Sequence, residues 1–371
     1  SVSPSWQSTV SIARQTYAPS PVFGSGPGTF CIEWLKYRDA SLNSTVFWNT
    51  DFTSGIGFIP TSFVTTGLVG AAAWIVFLVL LLLVGGRTLI IRTPEDDAMR
   101  YVAILSFVAA LYLMATAIFR LPNAVLLALA FGAVGLFASS VRYARPERQW
   151  GVLFSRSQRI GFVIVFSLTL LLFASVVAAY GLVGRYAATT VLARATVAFR
   201  SGESATAEQL LERSLSLSPT LATYQAQADL AVVSLGQIAA STTLPLAAAQ
   251  QAFQTTLSNG INAAITATRL APSEYRAWLS LGNLYAQAVP LSVAGAYESA
   301  VAAYEKAQTL NPTSPEIRII RAQLEIAHKD LSAAQEHLRS AIALKQDYVQ
   351  AIYLLSQLEV QTGNVKEALA S

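Results

Sequence analysis

Residues 278–312 read WLSLGNLYAQAVPLSVAGAYESAVAAYEKAQTLNP, and their spacing decides how the C-terminal half folds. Trp278, Leu281, Gly282 and Tyr285 fall at three- and four-residue steps, the period of one helix face. Ala300, Tyr304 and Ala307 repeat that step on a second segment. Pro312 ends it, because proline has no amide hydrogen to give a helix. Small residues let two helices approach closely while the aromatics fill the space between them. The stretch predicts two antiparallel helices, with an insertion near Val289–Gly295 between them.

The pattern recurs on both sides. Ala322, Ala334, Leu338 and Ala341 keep the register, and Gln346 stands 34 residues after Pro312. A further unit supplies Leu355, Ser356, Gly363 and Ala368 before the sequence stops at Ser371. Upstream, Gly202, Ala207, Leu211, Ser214 and Pro219 mark a first unit. A second, around 222–272, is read with an insertion of about 19 residues that contains Ser241-Thr242-Thr243-Leu244-Pro245. These five units resemble the tetratricopeptide repeat family, in which two antiparallel helices occupy about 34 residues. The resemblance implies a solenoid whose concave groove is lined by the first helix of each unit and holds a protein or extended peptide. The matching positions are Arg276, Leu279, Asn283, Glu316, Ile319, Gln323, Gln350, Tyr353 and Gln357. Of these, Arg276, Asn283, Gln323, Tyr353 and Gln357 are the candidate partner-binding residues, each with a plain alternative as a solvated face. A repeat stack needs a polar cap, so the expectation is that sequence continues beyond Ser371.

Four uncharged apolar runs precede the repeats: Phe63–Val84, Tyr101–Phe119, Leu121–Val141 and Ile160–Val183. A helix rises about 1.5 Å per residue and a bilayer core is about 30 Å thick, so each run is long enough to span. Only a helix satisfies its own backbone hydrogen bonds in lipid, so these read as helices. The fold expected is all-α: polytopic transmembrane helices in 58–184, an N-terminal loop in 1–57, and a repeat solenoid in 185–371.

Charge separates the halves. Residues 1–187 carry 13 Lys+Arg against 7 Asp+Glu, and 188–371 carry 12 against 14. The basic excess therefore flanks the membrane runs. No basic cluster with interleaved aromatics marks the repeats, so nucleic acid is not an expected partner. Arg87, Arg92 and Arg100 lie between the first two runs, and Arg142, Arg145, Arg148, Arg156 and Arg159 between the last two. The positive-inside rule puts that side in the cytoplasm, with the loop and the repeat arm extracytoplasmic on an inner, cytoplasmic membrane. Glu95, Asp96 and Asp97 partly offset the first loop and leave the inverted topology as the alternative. Cys31 is the single cysteine, which excludes an intramolecular disulfide. An exported N-terminal loop needs an upstream span, so a longer membrane protein is expected.

The loop carries the second resemblance. Trp6 opens a short helical stretch to Arg14, followed by Pro21-Val22-Phe23-Gly24-Ser25-Gly26-Pro27-Gly28-Thr29-Phe30. The glycines permit positive φ or close backbone approach. A phosphate loop is disfavoured, since no strand precedes and no Lys-Ser/Thr follows. An aromatic-rich loop leads to a span opening Thr66-Gly67-Leu68-Val69-Gly70. Over about residues 5–85 this resembles the O-antigen ligase and polymerase family. The resemblance implies a membrane enzyme that joins glycans carried on polyprenyl diphosphate, with no metal, nucleotide or other cofactor. The family's His-Asn pair falls here on Ile56 and Gly57, and no histidine precedes His328.

Transfer to a sugar hydroxyl needs a group that takes the hydroxyl proton. Asp51 is the candidate base, with Glu33 the other nearby carboxylate. Arg14, Lys36 and Arg38 are the candidates for the diphosphate through charge-assisted hydrogen bonds. Gly24, Gly26 and Gly28 would shape the site, and Trp48, with Trp34, Tyr37 and Phe47, would stack on sugar. The plain alternatives are interfacial aromatics at Phe47 and Trp48, solvated cations at Lys36 and Arg38, and a turn cap at Asp51. Three function classes follow: a glycan ligase or polymerase divergent at its histidine, a membrane-anchored scaffold that recruits envelope-assembly proteins, and a transporter. The last is disfavoured by spans without a charged residue.

Overall fold

A computed structural model describes residues 2–91, 96–143, 158–241 and 245–362. Arg92, Glu95, Arg145, Arg148 and Arg156 of the charge argument lie outside the described residues, as do Thr242, Thr243, Leu244, Gly363 and Ala368 of the repeats. The described residues are all-α, and the chain divides into two compact units, 1–42 with 49–156 and 43–48 with 157–371.

The first unit opens with α1 (Trp6–Tyr17), whose N-cap Ser5 accepts a hydrogen bond from the Ser8 N–H at 3.1 Å. It buries Thr9, Ile12 and Thr16 on one face. α2 (Phe30–Tyr37) buries Phe30, Trp34 and Leu35, and the Trp34 ring meets Phe52 edge-on at 5.0 Å.

α3 (Phe58–Gly86) is not one rod. Gly67 has φ +64° and ψ −158°, a conformation essentially reserved for glycine. The Phe58 and Trp74 rings meet at 6.1 Å, although sixteen residues of straight helix would separate them by about 24 Å. The helix thus turns back on itself at Gly67. The first run, read as Phe63–Val84, lies within this helix, with 58–66 as a short arm before the break and uninterrupted helix from Leu68. Residues 68–86 still rise about 28 Å, close to a bilayer core.

Asp96 caps α4 (Asp97–Phe119) by accepting from the Ala98 N–H at 2.7 Å. The third run, read from Leu121, forms α5 (Ala124–Tyr143) instead. Proline disfavours helix in the residue before it, and the Asn123 side chain accepts from the Leu126 N–H at 2.9 Å, so the cap sits at Asn123. Leu81, Phe107, Met114, Ala130 and Phe137 form the core of α3, α4 and α5. Gly85 permits that packing, because a Cβ there would overlap the Phe107 ring.

In the second unit α6 (Gln158–Arg200) runs past the predicted end at Val183. Nothing in 184–200 breaks a helix, so the apolar run continues directly into the first repeat. None of its most apolar window is buried, whereas Ala195 and Ala198 pack with Ala207 and Leu211 of α7 (Ser204–Leu217). Helix pairs follow: α8 (Leu221–Ala240) with α9 (Leu246–Leu270), α10 (Tyr275–Ala288) with α11 (Ala296–Leu310), and α12 (Pro315–His328) with α13 (Leu331–Leu344). α14 (Val349–Gln361) opens the next pair. The insertion read in 222–272 lengthens helices more than it adds loop, since α8 has 20 residues and α9 has 25. Alanine and glutamine, strong helix formers, carry it in Leu246-Ala-Ala-Ala-Gln-Gln. Alanines at no exposure (Ala300, Ala307, Ala322, Ala334, Ala341) set the helix spacing, and Leu338 and Leu324 fill between them. A leucine so buried contributes roughly 1.5–3 kcal/mol.

The four helices α3 to α6 are long and apolar enough to cross a membrane.

Candidate functional site

The glycine loop is positioned by the break in α3. At a helix break, carbonyls at the end of one half and N–H groups at the start of the next lose their partners. Here the loop supplies them. The Ser25 and Gly26 N–H groups donate to the Val64 and Thr65 carbonyls at 3.2 and 2.9 Å. The Leu68 and Val69 N–H groups donate to the Pro21 and Val22 carbonyls at 3.0 and 3.1 Å. Gly24 has φ +67°, and a Cβ on it would overlap the backbone at Val64 and Gly67; a Cβ on Gly67 would overlap Gly24 and Val22. The two glycine motifs are therefore two sides of one backbone contact. Gly26 and Gly28 have φ of +104° and +75° and no such crowding.

The candidate polar residues of the loop occupy different settings. Arg14 and Lys36 are exposed, and the Lys36 ammonium lies 4.8 Å from the Tyr37 ring centroid. The hydrogen bond to Tyr37 raises the Lys36 pKa, against partial burial. Arg38 is only 6% exposed and lines a cavity of about 220 Å³ with Gln7, Ser8, Ser11, Trp34 and Asp39. The buried Trp34 Nε1 has no hydrogen-bond acceptor. Arg14, Lys36 and Asp51 do not line this cavity. Asp51 is half-buried beside the buried Phe52, and Glu33 accepts a hydrogen bond from the Thr16 hydroxyl at 3.1 Å. Asp39, which sequence reasoning passed over, accepts from the Ser41 N–H at 2.8 Å; its bonds to Ser41 lower its pKa.

Trp48 belongs to the second unit. Its ring meets Tyr348 at 5.3 Å, with the Lys345 ammonium 5.4 Å from its centroid.

In the repeat arm, α10 and α12 present a groove of about 430 Å³. Asn283, Gln287 and Gln323 line it with Val232, Tyr304 and Ile320. The Tyr304 hydroxyl donates to Asn283 Oδ1 at 2.8 Å, which fixes the orientation of that amide. Burial pushes the Tyr304 pKa up, so the phenol stays a donor. Ile319, expected in the groove, is 2% exposed and packs instead with Ala334, Leu338 and Leu355; its neighbour Ile320 takes the groove position. The one-residue difference follows from helix phase, since neighbours point about 100° apart. Arg276 is exposed and its Nε donates to the Tyr275 hydroxyl at 3.2 Å. Tyr353 and Gln357 are exposed on α14, and Gln357 donates to the Tyr353 hydroxyl at 2.8 Å. They do not line the groove at Asn283. At the wall between α8 and α10, the Ser280 hydroxyl donates to Asp229 at 2.6 Å; although Asp229 is exposed as a residue, partial desolvation of its carboxyl raises its pKa against that bond and Arg276. His328 stacks on Tyr297 at 3.8 Å, and the Tyr297 hydroxyl donates to the buried Glu325 at 2.9 Å.

Residues 246–315 match the tetratricopeptide repeat family. That stretch is a tetratricopeptide segment within the helix-pair solenoid. Gly282 and Tyr304, two of its pattern residues, lie in direct contact, which is why that position carries glycine. Among solved structures, the chain is similar to TTC0263, a thermophilic tetratricopeptide protein of Thermus thermophilus, at 18% identity and a TM-score of 0.38, over 49% of this chain and 87% of that one. It is also similar to a monomeric mutant of IFIT1 with Gppp-AAAA, at 16% identity and a TM-score of 0.39, over 79% of this chain and 60% of that one. No curated protein matches. The O-antigen ligase resemblance of residues 5–85 gains no support from these comparisons.

Proposed function

We propose that this protein is a membrane-anchored scaffold whose tetratricopeptide arm holds an extended segment of a partner protein. The observation that carries the reading is the groove at Asn283, Gln287 and Gln323. Its amides offer both donors and acceptors to a peptide backbone, and Ile320 and Val232 offer apolar contact. Among the described residues, four candidate spans separate the glycine loop from the repeats, and an even number returns the chain to the side it left. Asn43 hydrogen-bonds repeat-arm carbonyls, which supports one shared compartment. By the positive-inside rule, the arginine distribution supports the extracytoplasmic side for that compartment. A photo-crosslinking side chain placed at Gln323 in membranes should give one discrete protein adduct, lost on Asn283→Ala. The same group at the off-groove Glu336 should give none. Equal labelling at both positions would sink the groove reading.

A second reading, transfer of a lipid-linked glycan, is favoured by one observation. The two glycine motifs that carry the O-antigen ligase resemblance pack against each other, within the unit that also holds the buried Arg38. In that chemistry a base takes the acceptor hydroxyl proton, the oxygen bonds the anomeric carbon, and polyprenyl diphosphate leaves. Transfer from a lipid-linked donor that falls with Arg38→Ala or Asp51→Ala, at unchanged protein level, would favour it. Absence of transfer with the unsubstituted protein would remove it.

A further inference from the structure

Six residues of the N-terminal region, Asn43–Trp48, are built into the unit of the repeat arm. Asn43 is 1% exposed. Its Nδ2 donates to the Thr313 carbonyl at 2.9 Å and to the Leu344 carbonyl at 3.1 Å. Thr313 lies in the turn after α11, and Leu344 is the last residue of α13. These are the turns that close two successive repeats. Carbonyls at a helix end lack intrahelical partners, so such turns present ready acceptors.

The contact is reciprocal. Lys345 Nζ, on a residue only 9% exposed, donates to the Asn43 carbonyl at 3.1 Å and to Asp347 at 2.6 Å. Its ammonium also faces the Trp48 ring, which packs on Tyr348. A buried ammonium is costly without such partners, and the segment supplies two of them. The side-chain chemistry is selective. A planar amide carries two N–H donors and can reach two carbonyls at once, whereas a hydroxyl has one donor and a carboxylate none. None of these residues lines the groove at Asn283.

We propose that the paired turns after α11 and α13 form a second recognition site of the repeat arm, selective for a short segment with asparagine and an aromatic five residues on, and that Asn43–Trp48 is its internal ligand. The arm then has two separate surfaces, a groove for a partner protein and a seat filled by its own chain. A partner segment of the same chemistry would compete for the seat by releasing Asn43–Trp48.

The test is hydrogen exchange on the full chain in detergent, comparing the unsubstituted protein with Asn43→Ala. Two buried hydrogen bonds are lost, so amides in 43–48 should exchange about tenfold faster or more, while α10 and α11 keep their protection. A labelled synthetic peptide of residues 40–50 then probes the seat. It should bind the Asn43→Ala chain at least about tenfold tighter than the unsubstituted chain, whose seat is filled, and Lys345→Ala added to Asn43→Ala should abolish that binding. Unchanged exchange, or equal peptide binding to both chains, would overturn the proposal. A dimer that Asn43→Ala dissociates would assign the seat to a second copy's segment and overturn the internal assignment. Crosslinking at Gln323 is independent of all these outcomes, so this proposal and the groove reading fail separately.

Discussion

In the first unit a long-range contact runs between two backbones: Gly24 against Gly67, and the Pro21–Gly26 stretch against the broken turn of α3. In the repeat arm the helices pack through side chains, with the Tyr304 ring over Gly282 and alanines at no exposure between paired helices. The difference is in what a substitution can displace. A side chain can change rotamer, and a helix pair can separate by a fraction of an ångström. Two crossing backbones that exchange four hydrogen bonds can do neither. The first unit should therefore fail abruptly at one or two positions, while the arm should lose stability gradually across many.

Gly67→Ala is the largest expected effect. The alanine would sit at a backbone conformation that only glycine adopts readily, and its Cβ would overlap Gly24 and Val22. Strain plus the loss of paired hydrogen bonds should cost about 3 kcal/mol or more. Limited proteolysis should then cut within residues 21–28, and the first unit should lose its thermal transition while α10 to α13 stay protected. Cleavage unchanged from the unsubstituted protein would mean that the glycine contact is not what holds the loop.

That contact was half legible in the sequence. The glycine motifs at 24–28 and 67–70 stand out as strings, and positive φ or close approach was the expectation for the first. Nothing in the spacing says that the two motifs meet, because forty residues of chain separate them. The periodicity of the repeats is a different kind of signal. It states both the element and its partner, since the face that recurs every three to four residues must pack on the next helix. Hence Trp278, Gly282, Ala300 and Tyr304 gave the helix pairs, while Ile319 missed the groove by one residue, a phase that a sequence leaves loose. Asn43 lay beyond reach altogether. A single asparagine in a polar loop has no pattern, and its partners are two main-chain carbonyls about 300 residues away, which no side chain advertises. Of the candidate loop cations, Arg38 lines the cavity at Trp34 and Arg14 and Lys36 do not, because burial is decided by tertiary packing and not by charge spacing.

An intermediate effect tests the arm. In Gly282→Ala the new methyl would meet the Tyr304 ring, which is 2% exposed and held through its hydroxyl by Asn283. Overpacking of this kind costs about 1–3 kcal/mol. A double-mutant cycle with Tyr304→Leu should show coupling, with the smaller side chain recovering part of the loss. Thermal melts of the four proteins give the cycle directly. Simple additivity would show that the glycine is tolerated for some reason other than the ring.

The smallest expected effect separates packing from electrostatics in the same arm. Asp229 is exposed as a residue, but partial desolvation of its carboxyl at the wall between α8 and α10 raises its pKa from 3.8, even though Ser280 and Arg276 act in the other direction. A raised carboxyl pKa means that the folded state binds the proton more tightly than the unfolded chain does. Stability should then fall as pH rises from 3.8 through the raised value, and stay at the lower level above it. Asp229→Asn keeps an oxygen to accept from the Ser280 hydroxyl but carries no charge. The variant should match the unsubstituted protein below pH 3.8 and exceed it modestly at neutral pH, by less than Gly282→Ala costs. Paired Tm measurements across that range decide the sign. A variant less stable at neutral pH would show that the attraction to Arg276 outweighs the partial desolvation of the charge. The wall between α8 and α10 would then be held by an ion pair, unlike the alanine and ring packing that holds the rest of the arm.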